Sequence, residues 1–540
     1  MHHSDTPILS RPAAPSETVY LRPGVKLEPL VAGWYAWPHL LAPATLAMNL
    51  AFRYRPLLQS YLDDPAAHIA AACDPSLFGG PFVALPQESL PDVRRLLDEI
   101  DSNPEGLLRL GLALKALDGL LQERAQGERL DGLYEMVPPQ LGGFVEFVYD
   151  LNHHPRIRLQ EELLGLRGPD VGALQHFAVH DVRDEQRPFF LSTPRLGAFA
   201  GLNLRRRFDD QMIDVLARAR TVGATRRDVA TALDLSLDAV ERFVTTAAPR
   251  RADPEFAGEE VRVRYFGHAC VLLQSRNESI LIDPLVTCDH GDDNRFTLAD
   301  LPDRLDYVVL SHGHGDHACP ETLLQIRHKV GCVLLPRSNA GAIADPSLKL
   351  MLSRLGYRDV RVVDPFDEVP LSHGRLVSLP FPGEHGDLDI YARHGLMVEL
   401  SGRRFMFLVD SSAVDPLLYR RLADIVGAPD ALFIGMACDG APLSWLYGPL
   451  MHRPVDRRHD DSRRLIGSDF IQASRVIREL RPAQVFVYAM GLEPWLRYLM
   501  GKEQDSDSHQ LAEVRRLLQE PRFESLQPEL LNGCQEMYYL

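Results

Sequence analysis

The chain has 540 residues, of which 45% are hydrophobic and 24% are charged, and its formal net charge is −16. This length exceeds one ordinary core, so two or more domains are expected, and the acidic balance disfavours a nucleic-acid partner. Seven cysteines without a CxxC pair are typical of a reducing cytosol. No signal peptide and no membrane-spanning apolar run is recognisable, so the sequence predicts a cytoplasmic protein without a membrane partner.

The first half of the chain, residues 1–255, carries no catalytic motif. Apolar residues recur at helical spacing in Leu107–Leu121 and Met212–Ala219, which predicts a mixed, mainly helical domain. Within it, residues 223–246 have the layout of two short helices around a turn, as in a helix-turn-helix. The second of these helices offers little to a DNA major groove, so we favour a packing or protein-contact role. Residues 247–254 are the best linker candidate.

The second half, residues 256–540, changes to many short apolar runs with helices late in each part. Such a pattern predicts an α+β domain in which two sheets pack face to face and helices cover them. Metal- or substrate-binding loops should then lie at the strand ends along one edge. The strand-like runs are 261–266, 270–273, 279–282, 305–310, 332–335, 360–363, 376–379, 397–400, 405–409, 431–434 and 485–488.

One loop after a predicted strand is rich in metal-ligating side chains. It reads Ser311-His312-Gly313-His314-Gly315-Asp316-His317, so three imidazoles and one carboxylate occur within six residues. Imidazole nitrogens and carboxylate oxygens bind zinc, iron and manganese, and the glycines allow the sharp turn that brings the side chains together. A polar surface loop is the alternative, but the spacing favours a site for two adjacent metal ions.

Three further loops at strand ends could complete this site. Asp410 ends an apolar strand, where a carboxylate is unfavourable unless a positive charge offsets its desolvation. A position bridging two cations would supply that charge, and a helix N-cap for the segment from Ser411 is the alternative. Asp283 ends another strand and is expected to fix the His loop by hydrogen bonds. Residues 382–387 form the third loop.

These motifs together resemble the metallo-β-lactamase superfamily, which implies an αββα sandwich over residues 256–540. Other stretches make nearly the whole chain similar to the diiron β-hydroxylase branch of that superfamily. The resemblance implies two iron ions, O2 as co-substrate, and hydroxylation of an aminoacyl group on the carrier domain of a nonribosomal peptide synthetase. The stretches that carry it are Leu21–Leu30, Gly440–Pro449 and Tyr488–Trp495.

The resemblance also implies roles for individual residues. Glu384 takes the position where hydrolase relatives place a histidine, and a carboxylate there favours iron over zinc. Its neighbour His385 is the competing ligand, because a motif fixes spacing better than side-chain direction. The remaining ligands implied are His312 and His314 for one iron, Asp316 and His317 for the other, and Asp410 as the bridge.

The chain departs from the hydrolase pattern at its last ligand. Hydrolytic relatives end a late strand with a histidine, whereas here the strand 485–488 continues into Ala489. His452 and His459 are nearby candidates for a further ligand, although each is equally well explained as a solvated loop histidine. A coordination position left open would suit O2 binding.

The segment 453–464 is the densest basic patch in this acidic chain. A solvated loop is one explanation for Arg453, Arg457 and Arg458. The other is a docking site for an acidic carrier protein, or for the phosphate of its pantetheine arm, which arginines bind well.

We therefore expect a diiron monooxygenase of natural-product biosynthesis. It needs an external electron donor, because no nicotinamide or flavin fingerprint is recognisable. The alternative is a dizinc hydrolase that cleaves an ester, thioester, lactone or phosphodiester, but Glu384 and the missing last histidine disfavour it. A non-enzymatic binding module is least compatible with the ligand set. The N-terminal domain is expected to mediate homodimerisation and carrier docking.

Overall fold

The computed structural model describes residues 18–102, 106–199, 201–291, 294–380, 382–383, 385–501 and 507–540. Glu384, one of the expected ligands, lies outside the described residues. Within the described part of the chain, no helix is both long and apolar enough to cross a membrane.

The N-terminal part combines short helices with small sheets, as expected. Both helices predicted from periodicity are present. Its helices are α1 (Pro38–Leu41), α2 (Pro43–Asn49), α3 (Arg55–Asp63), α4 (Pro65–Cys73), α5 (Leu90–Asp101), α6 (Leu107–Arg124), α7 (Glu161–Arg167), α8 (Met212–Arg218) and α9 (Arg226–Leu233). Its strands are β1 (Thr18–Leu21), β2 (Lys26–Val31), β3 (Trp34–Tyr35), β4 (Val145–Tyr149), β5 (Pro155–Leu159), β6 (Gln175–His180), β7 (Leu202–Leu204), β8 (Ala224–Thr225) and β9 (Val244–Thr245).

The helix-turn-helix expected at residues 223–246 is only half formed. Helix α9 begins at its Thr225 N-cap, whose side chain accepts a hydrogen bond from the Asp228 amide. The second predicted helix is a single 3₁₀ turn, Ala239–Arg242, and the segment ends in β9, which pairs with β1. The prediction of two helices was therefore wrong, because the β1 pairing takes the backbone hydrogen bonds that a longer helix would need.

The C-terminal part contains all eleven predicted strands. Together with three further strands, β16, β22 and β23, they form two seven-stranded sheets, in the orders β15-β14-β13-β12-β11-β10-β23 and β16-β17-β18-β19-β20-β21-β22. The strands of the first sheet are β10 (Val261–Gly267), β11 (Cys270–Gln274), β12 (Ser279–Ile282), β13 (Leu305–Val309), β14 (Val330–Pro336), β15 (Val360–Val363) and β23 (Gln535–Tyr539). Those of the second sheet are β16 (Glu368–Leu371), β17 (Gly374–Leu379), β18 (Gly395–Leu400), β19 (Arg403–Leu408), β20 (Ala431–Gly435), β21 (Gln484–Tyr488) and β22 (Glu529–Leu530).

The register of these strands gathers several loops at one edge of the sandwich. In the first sheet β12 pairs parallel with β13, which sets Ile282 opposite Val309. In the second sheet β19 pairs parallel with β20, which sets Leu408 opposite Ile434. Because parallel strands end at the same edge, the residues that follow Ile282 and Val309 lie together, and the face-to-face packing of the sheets brings the end of β19 next to them, as the 3.0 Å contact between Asp410 and His317 shows.

The two sheets pack face to face through a buried apolar layer that includes Val309, Phe407 and Phe433. On the outer face of the second sheet, Tyr419, Val476 and Val514 pack from three covering helices. The helices of the C-terminal part are α10 (Pro320–Ile326), α11 (Leu348–Arg354), α12 (Pro416–Val426), α13 (Leu443–Tyr447), α14 (Arg457–Ser462), α15 (Phe470–Leu480), α16 (Arg497–Met500) and α17 (His509–Leu518).

The outer face of the first sheet is covered differently. Val308 of this sheet and Leu323 of α10 belong to the same buried cluster as Trp34, Trp37 and Leu117 of the N-terminal part. The two parts of the chain therefore share one hydrophobic core, and the N-terminal part is the layer that completes the sandwich.

Candidate metal centre

Asp283 holds the His loop, residues 311–317, through hydrogen bonds at both of its ends. Its carboxylate is fully buried and accepts hydrogen bonds from the Ser311 amide at 2.7 Å and the Ser311 hydroxyl at 2.6 Å. It also lies 3.0 Å from Nδ1 of His317, which donates to it. Both ends of the loop are thus fixed by one side chain. Asp283 directly follows β12, and this position at the strand end places its carboxylate against the loop.

One group of ligand atoms is built from three imidazoles. Nε2 of His312 lies 3.0 Å from Nδ1 of His314. The His385 ring lies close to both, with ring centroids 4.8 Å from His314 and 5.6 Å from His312. One nitrogen from each of these three buried residues lies within 4.8 Å of the others, a separation that suits a shared metal ion.

A second group contains His268, Asp316 and His317. Nε2 of His268 lies 3.1 Å from Oδ2 of Asp316, and Nε2 of His317 lies 3.5 Å from the same oxygen. Asp410 stands between the two groups, because its Oδ2 is 3.0 Å from Nε2 of His317 and 3.7 Å from Nε2 of His312. The Asp410 carboxylate therefore faces a nitrogen of each group.

The donor atoms around His317 fit a cation. Because Nδ1 of the ring donates to Asp283, a neutral His317 presents only a lone pair at Nε2, toward Asp410 and Asp316. That nitrogen is buried and has no hydrogen-bond partner among the described residues. A lone pair that faces two carboxylates is unfavourable unless a proton or a metal ion lies between them. The arrangement therefore fits a bound metal ion.

The charge states of the imidazoles support the same conclusion. Burial, together with neighbouring imidazoles, holds the pKa values of His312 and His385 well below their usual range. These rings are therefore neutral, which is the state that binds metal. Burial alone would lower the pKa of His317, but Asp316 and Asp410 raise it well above its usual range. Positive charge is thus favoured at the point where the two groups meet.

Neither candidate for a further ligand lies in these groups. Nδ1 of His452 is 3.2 Å from a carboxylate oxygen of Asp118 on α6. His459 is exposed and pairs with Asp456 at the start of α14. Gly383 forms a β-bridge with Ser411, the residue after Asp410.

Two residues near the groups were not predicted. His268 follows β10 directly, and its end-of-strand position was the available signal. Tyr447 ends α13, and its hydroxyl lies 3.2 Å from Nε2 of His314. Its distance along the chain from the His loop left no local signal in the sequence.

An open cavity of about 420 Å³ leads to both groups. His268, His314, Asp316 and Asp410 form its base. Its walls are largely apolar and come from both parts of the chain. They include Phe78, Phe190, Trp445, Leu446, Met490 and Met500. A bulky group that enters this cavity would displace water from the metal centre.

The predicted basic patch lies beside this cavity. Arg464 lines the cavity and its guanidinium is 3.6 Å from Asp439. The Arg457 side chain on α14 is 97% exposed and lies 3.7 Å from Asp461. Arg453 and Arg458 are also exposed. Arg464 of the patch therefore lines the cavity, whereas Arg453, Arg457 and Arg458 face solvent on α14 and the segment before it.

Comparison with known proteins identifies both parts of the chain. A family model described as "Diiron non-heme beta-hydroxylase N-terminal domain" matches residues 20–247. A second model, "Beta-lactamase superfamily domain", matches residues 262–380. The curated 4-amino-L-phenylalanyl-[CmlP-peptidyl-carrier-protein] 3-hydroxylase of Streptomyces venezuelae is 37% identical over 499 residues, which cover 91% of this chain and 93% of that protein.

The solved structures that this chain resembles include a protein of the same kind as the curated relative. The crystal structure of CmlA, a diiron beta-hydroxylase from Streptomyces venezuelae, has a TM-score of 0.88 at 34% identity, covering 97% of this chain and 100% of that one. A Glu-to-Asp mutant of the CmlA beta-hydroxylase has a TM-score of 0.86 with the same coverage.

Proposed function

Because the chain belongs to the diiron non-haem β-hydroxylase family, we propose that it β-hydroxylates an aminoacyl group held on the carrier domain of a nonribosomal peptide synthetase. It is an oxygenase of the metallo-β-lactamase fold. The observation that carries the proposal is the pair of ligand groups joined by Asp410 at the base of an apolar cavity.

The proposed ligands follow the two groups. His312 and His314 would bind one iron ion with Glu384 or His385, and Asp410 would bridge to the second ion. That second ion would be bound by Asp316 and His317, with His268 beside them. When bound, the irons would supply O2 activation, in which one oxygen atom enters a C–H bond and the other leaves as water, with two electrons from an external donor and two protons.

The protein's own groups would orient the reaction. The apolar walls around Phe190, Trp445 and Met490 would hold the aminoacyl side chain and exclude water from the cavity base. Asp283 would keep His317 in the tautomer that presents Nε2 toward the centre, because the carboxylate takes the proton-bearing Nδ1. Tyr447 would orient His314 in the same way through its hydroxyl.

The partner proposed is an acidic carrier protein loaded with the aminoacyl group. Its pantetheine arm is long enough to enter an open cavity, and the exposed side chains of Arg453, Arg457 and Arg458 would meet acidic groups of the carrier or its phosphate. We also propose a cytoplasmic homodimer. Leu163 and Leu166 on α7 are exposed apolar side chains that an interface of the N-terminal part could cover.

The experiment starts from protein loaded anaerobically with ferrous iron and mixed with aminoacyl-carrier substrates, reductant and isotopically labelled O2. We expect two irons per chain, an optical spectrum typical of an oxo-bridged pair after oxidation, and one labelled oxygen atom in the aminoacyl product. Two zinc ions in the purified protein, with no oxygen incorporation after iron loading, would overturn the proposal.

One observation favours a second candidate, the dizinc hydrolase. The His312, His314 and His385 group offers three nitrogens, a ligand set that zinc enzymes use. In that case the zinc-loaded protein would release the acyl group from its carrier as a free acid, without O2. The relationship to a carrier-protein hydroxylase over most of the chain makes this the weaker candidate.

A further inference from the structure

The N-terminal part of the chain reaches the metal centre itself. A β-carbon added at Gly315, between two proposed ligands, would lie 3.4 Å from Cβ of Trp37. Just after the His loop, the Tyr35 hydroxyl donates to Glu321 of α10 at 2.9 Å. The segment from Tyr35 to Trp37 thus packs against the ligand loop and the helix that follows it.

His39, two residues beyond Trp37, lies behind the ligands and takes no part in the mechanism described above. It is 4% exposed, and its ring stacks on Trp37 with centroids 4.6 Å apart and planes 20° apart. Its ring also meets the Tyr447 ring edge-on, at 5.7 Å between centroids. Nδ1 of His39 has no hydrogen-bond partner among the described residues.

These contacts form a short path to a ligand. His39 lies against Tyr447, and the Tyr447 hydroxyl is 3.2 Å from Nε2 of His314. His39, Tyr447, His314 and His385 also border one small internal cavity of about 10 Å³. A polar ring is buried here, beside the ligands, at a position where a packing role alone would be served by an apolar side chain.

We infer that His39 is a positioning residue of the metal centre. It holds the Tyr447 ring so that the tyrosine hydroxyl fixes the orientation of His314 at the ion bound by His312 and His314. This inference rests on the proposed metal centre and not on the proposed reaction. The N-terminal part is therefore expected to complete the metal site in addition to any role in dimerisation or carrier docking.

Because His39 is not itself a ligand, its substitution should weaken metal binding without abolishing it. Loss of such a supporting contact typically lowers metal affinity by roughly 10- to 100-fold. The effect should fall on the ion bound by His312 and His314. The ion bound by Asp316 and His317 should be affected much less, because Asp283 orients His317 independently.

The test is anaerobic titration of the full-length apo-protein with Co²⁺, followed by calorimetry and by the visible spectrum of the bound ion. His314→Ala identifies the binding step that belongs to His312 and His314. We expect His39→Leu to weaken that step by roughly tenfold or more and to change its spectrum. His39→Gln, which keeps a polar group, should recover part of the loss.

Two comparisons distinguish a role of His39 in positioning Tyr447 from a role in the stability of the fold. His68 is a second buried histidine of the N-terminal part, bonded to Ser60 and to the Val83 amide. His68→Gln should leave both cobalt steps unchanged, even where its Tm falls. In a double-mutant cycle, Tyr447→Phe should add little to the loss caused by His39→Leu, because both act through the same contact.

Three results would overturn the inference. One is wild-type cobalt affinity and spectrum in His39→Leu. A second is equal weakening of both steps in proportion to a fall in Tm, and the third is full additivity with Tyr447→Phe. A protein that binds cobalt as expected but hydroxylates no carrier-bound substrate would overturn the proposed reaction and leave the role of His39 standing.

Discussion

Oδ2 of Asp410 lies 3.0 Å from Nε2 of His317 and 3.7 Å from Nε2 of His312, so one carboxylate oxygen faces a nitrogen of each ligand group. The backbone reaches this position with a φ of +50° at Asp410, a conformation that short polar residues adopt more readily than others. This conformation lets the Asp410 carboxylate face both ligand groups, so its negative charge should be needed for binding of both metal ions.

Asp410→Asn should lose one or both irons. The amide keeps the size of the side chain but cannot neutralise two cations, so hydroxylation should fall by more than about 100-fold, beyond the loss typical of residues that only support ligands. Iron content and product formation measure this. Asp415→Asn, at the exposed N-cap of α12, controls for damage to the loop. Retention of two irons and normal turnover in Asp410→Asn would contradict the bridging role.

Asp283→Asn should weaken metal binding without removing a ligand. Asp283 accepts three hydrogen bonds at the base of the His loop, and the amide can satisfy only part of them. We expect metal affinity to fall by roughly 10- to 100-fold and unfolding free energy to fall by about 1–3 kcal/mol. Calorimetric metal titration and denaturant unfolding measure the two effects.

The matched control is Asp300→Asn. Asp300 is also buried and accepts hydrogen bonds from Thr297, as part of a capping box. Its substitution should lower stability by a similar amount and leave metal affinity intact. If both variants lose metal equally, the effect of Asp283 is on folding and not on the centre.

Glu384 and His385 can be separated by the metal that each variant retains. Glu384→Gln removes the hard anionic oxygen, so the protein should lose its preference for iron and bind zinc better in competition. His385→Gln should keep two irons. Metal analysis after growth or reconstitution with equal iron and zinc measures this. The reverse pattern would make His385 the ligand, in line with its place beside His312 and His314.

The sequence predicted the parts of this site that are local in the chain. The His loop, Asp283 and Asp410 each directly follow an apolar run, and strand ends gather at one edge because of parallel pairing. His268 has the same position after β10, but without the pairing order nothing linked it to Asp316. His39 and Tyr447 could not be predicted, since only the packing of the N-terminal part against the first sheet brings them to the ligands.

The same reason explains the errors in the N-terminal part. Apolar spacing located α6 and α8, because both helices bury one face in the shared core. The second helix expected within 223–246 does not form, because β9 pairs with β1. The paired residues of these two strands lie over 220 residues apart in sequence. Short-range patterns do not contain such pairings.

Stability should depend on pH through Glu161, at the start of α7. Burial raises the pKa of this half-buried carboxyl to about 7, above its ordinary value of 4.5. The folded protein therefore binds more protons than the unfolded chain between these pH values, so stability falls as pH rises from about 4.5 to 7. The penalty at pH 8 is on the order of 2–3 kcal/mol at most.

Glu161→Gln should remove this penalty. The amide still accepts the hydrogen bond from the Ser347 amide. The variant should be more stable than the parent at pH 8 and no more stable at pH 4. Urea unfolding at several pH values measures the difference, and the exposed neighbour Glu162→Gln serves as the control. An equal gain for Glu161→Gln at both pH values would exclude the protonation argument.

Charge reversal at Arg457 and Arg458 should weaken carrier binding and leave the metal centre intact. Both are exposed on α14, which bonds through Asp460 to Ser444 of the cavity-lining helix α13, so they would act on an acidic carrier through screened charges. We expect the Kd for the aminoacyl-loaded carrier to rise by about tenfold at low salt and by less at high salt, with unchanged iron content. Calorimetry at two salt concentrations measures this. Arg522→Glu, on the exposed turn that precedes the edge strand β22, is the control, because Arg522 does not line the cavity. Equal weakening by this control would mean that net charge alone, and no local surface, governs the encounter.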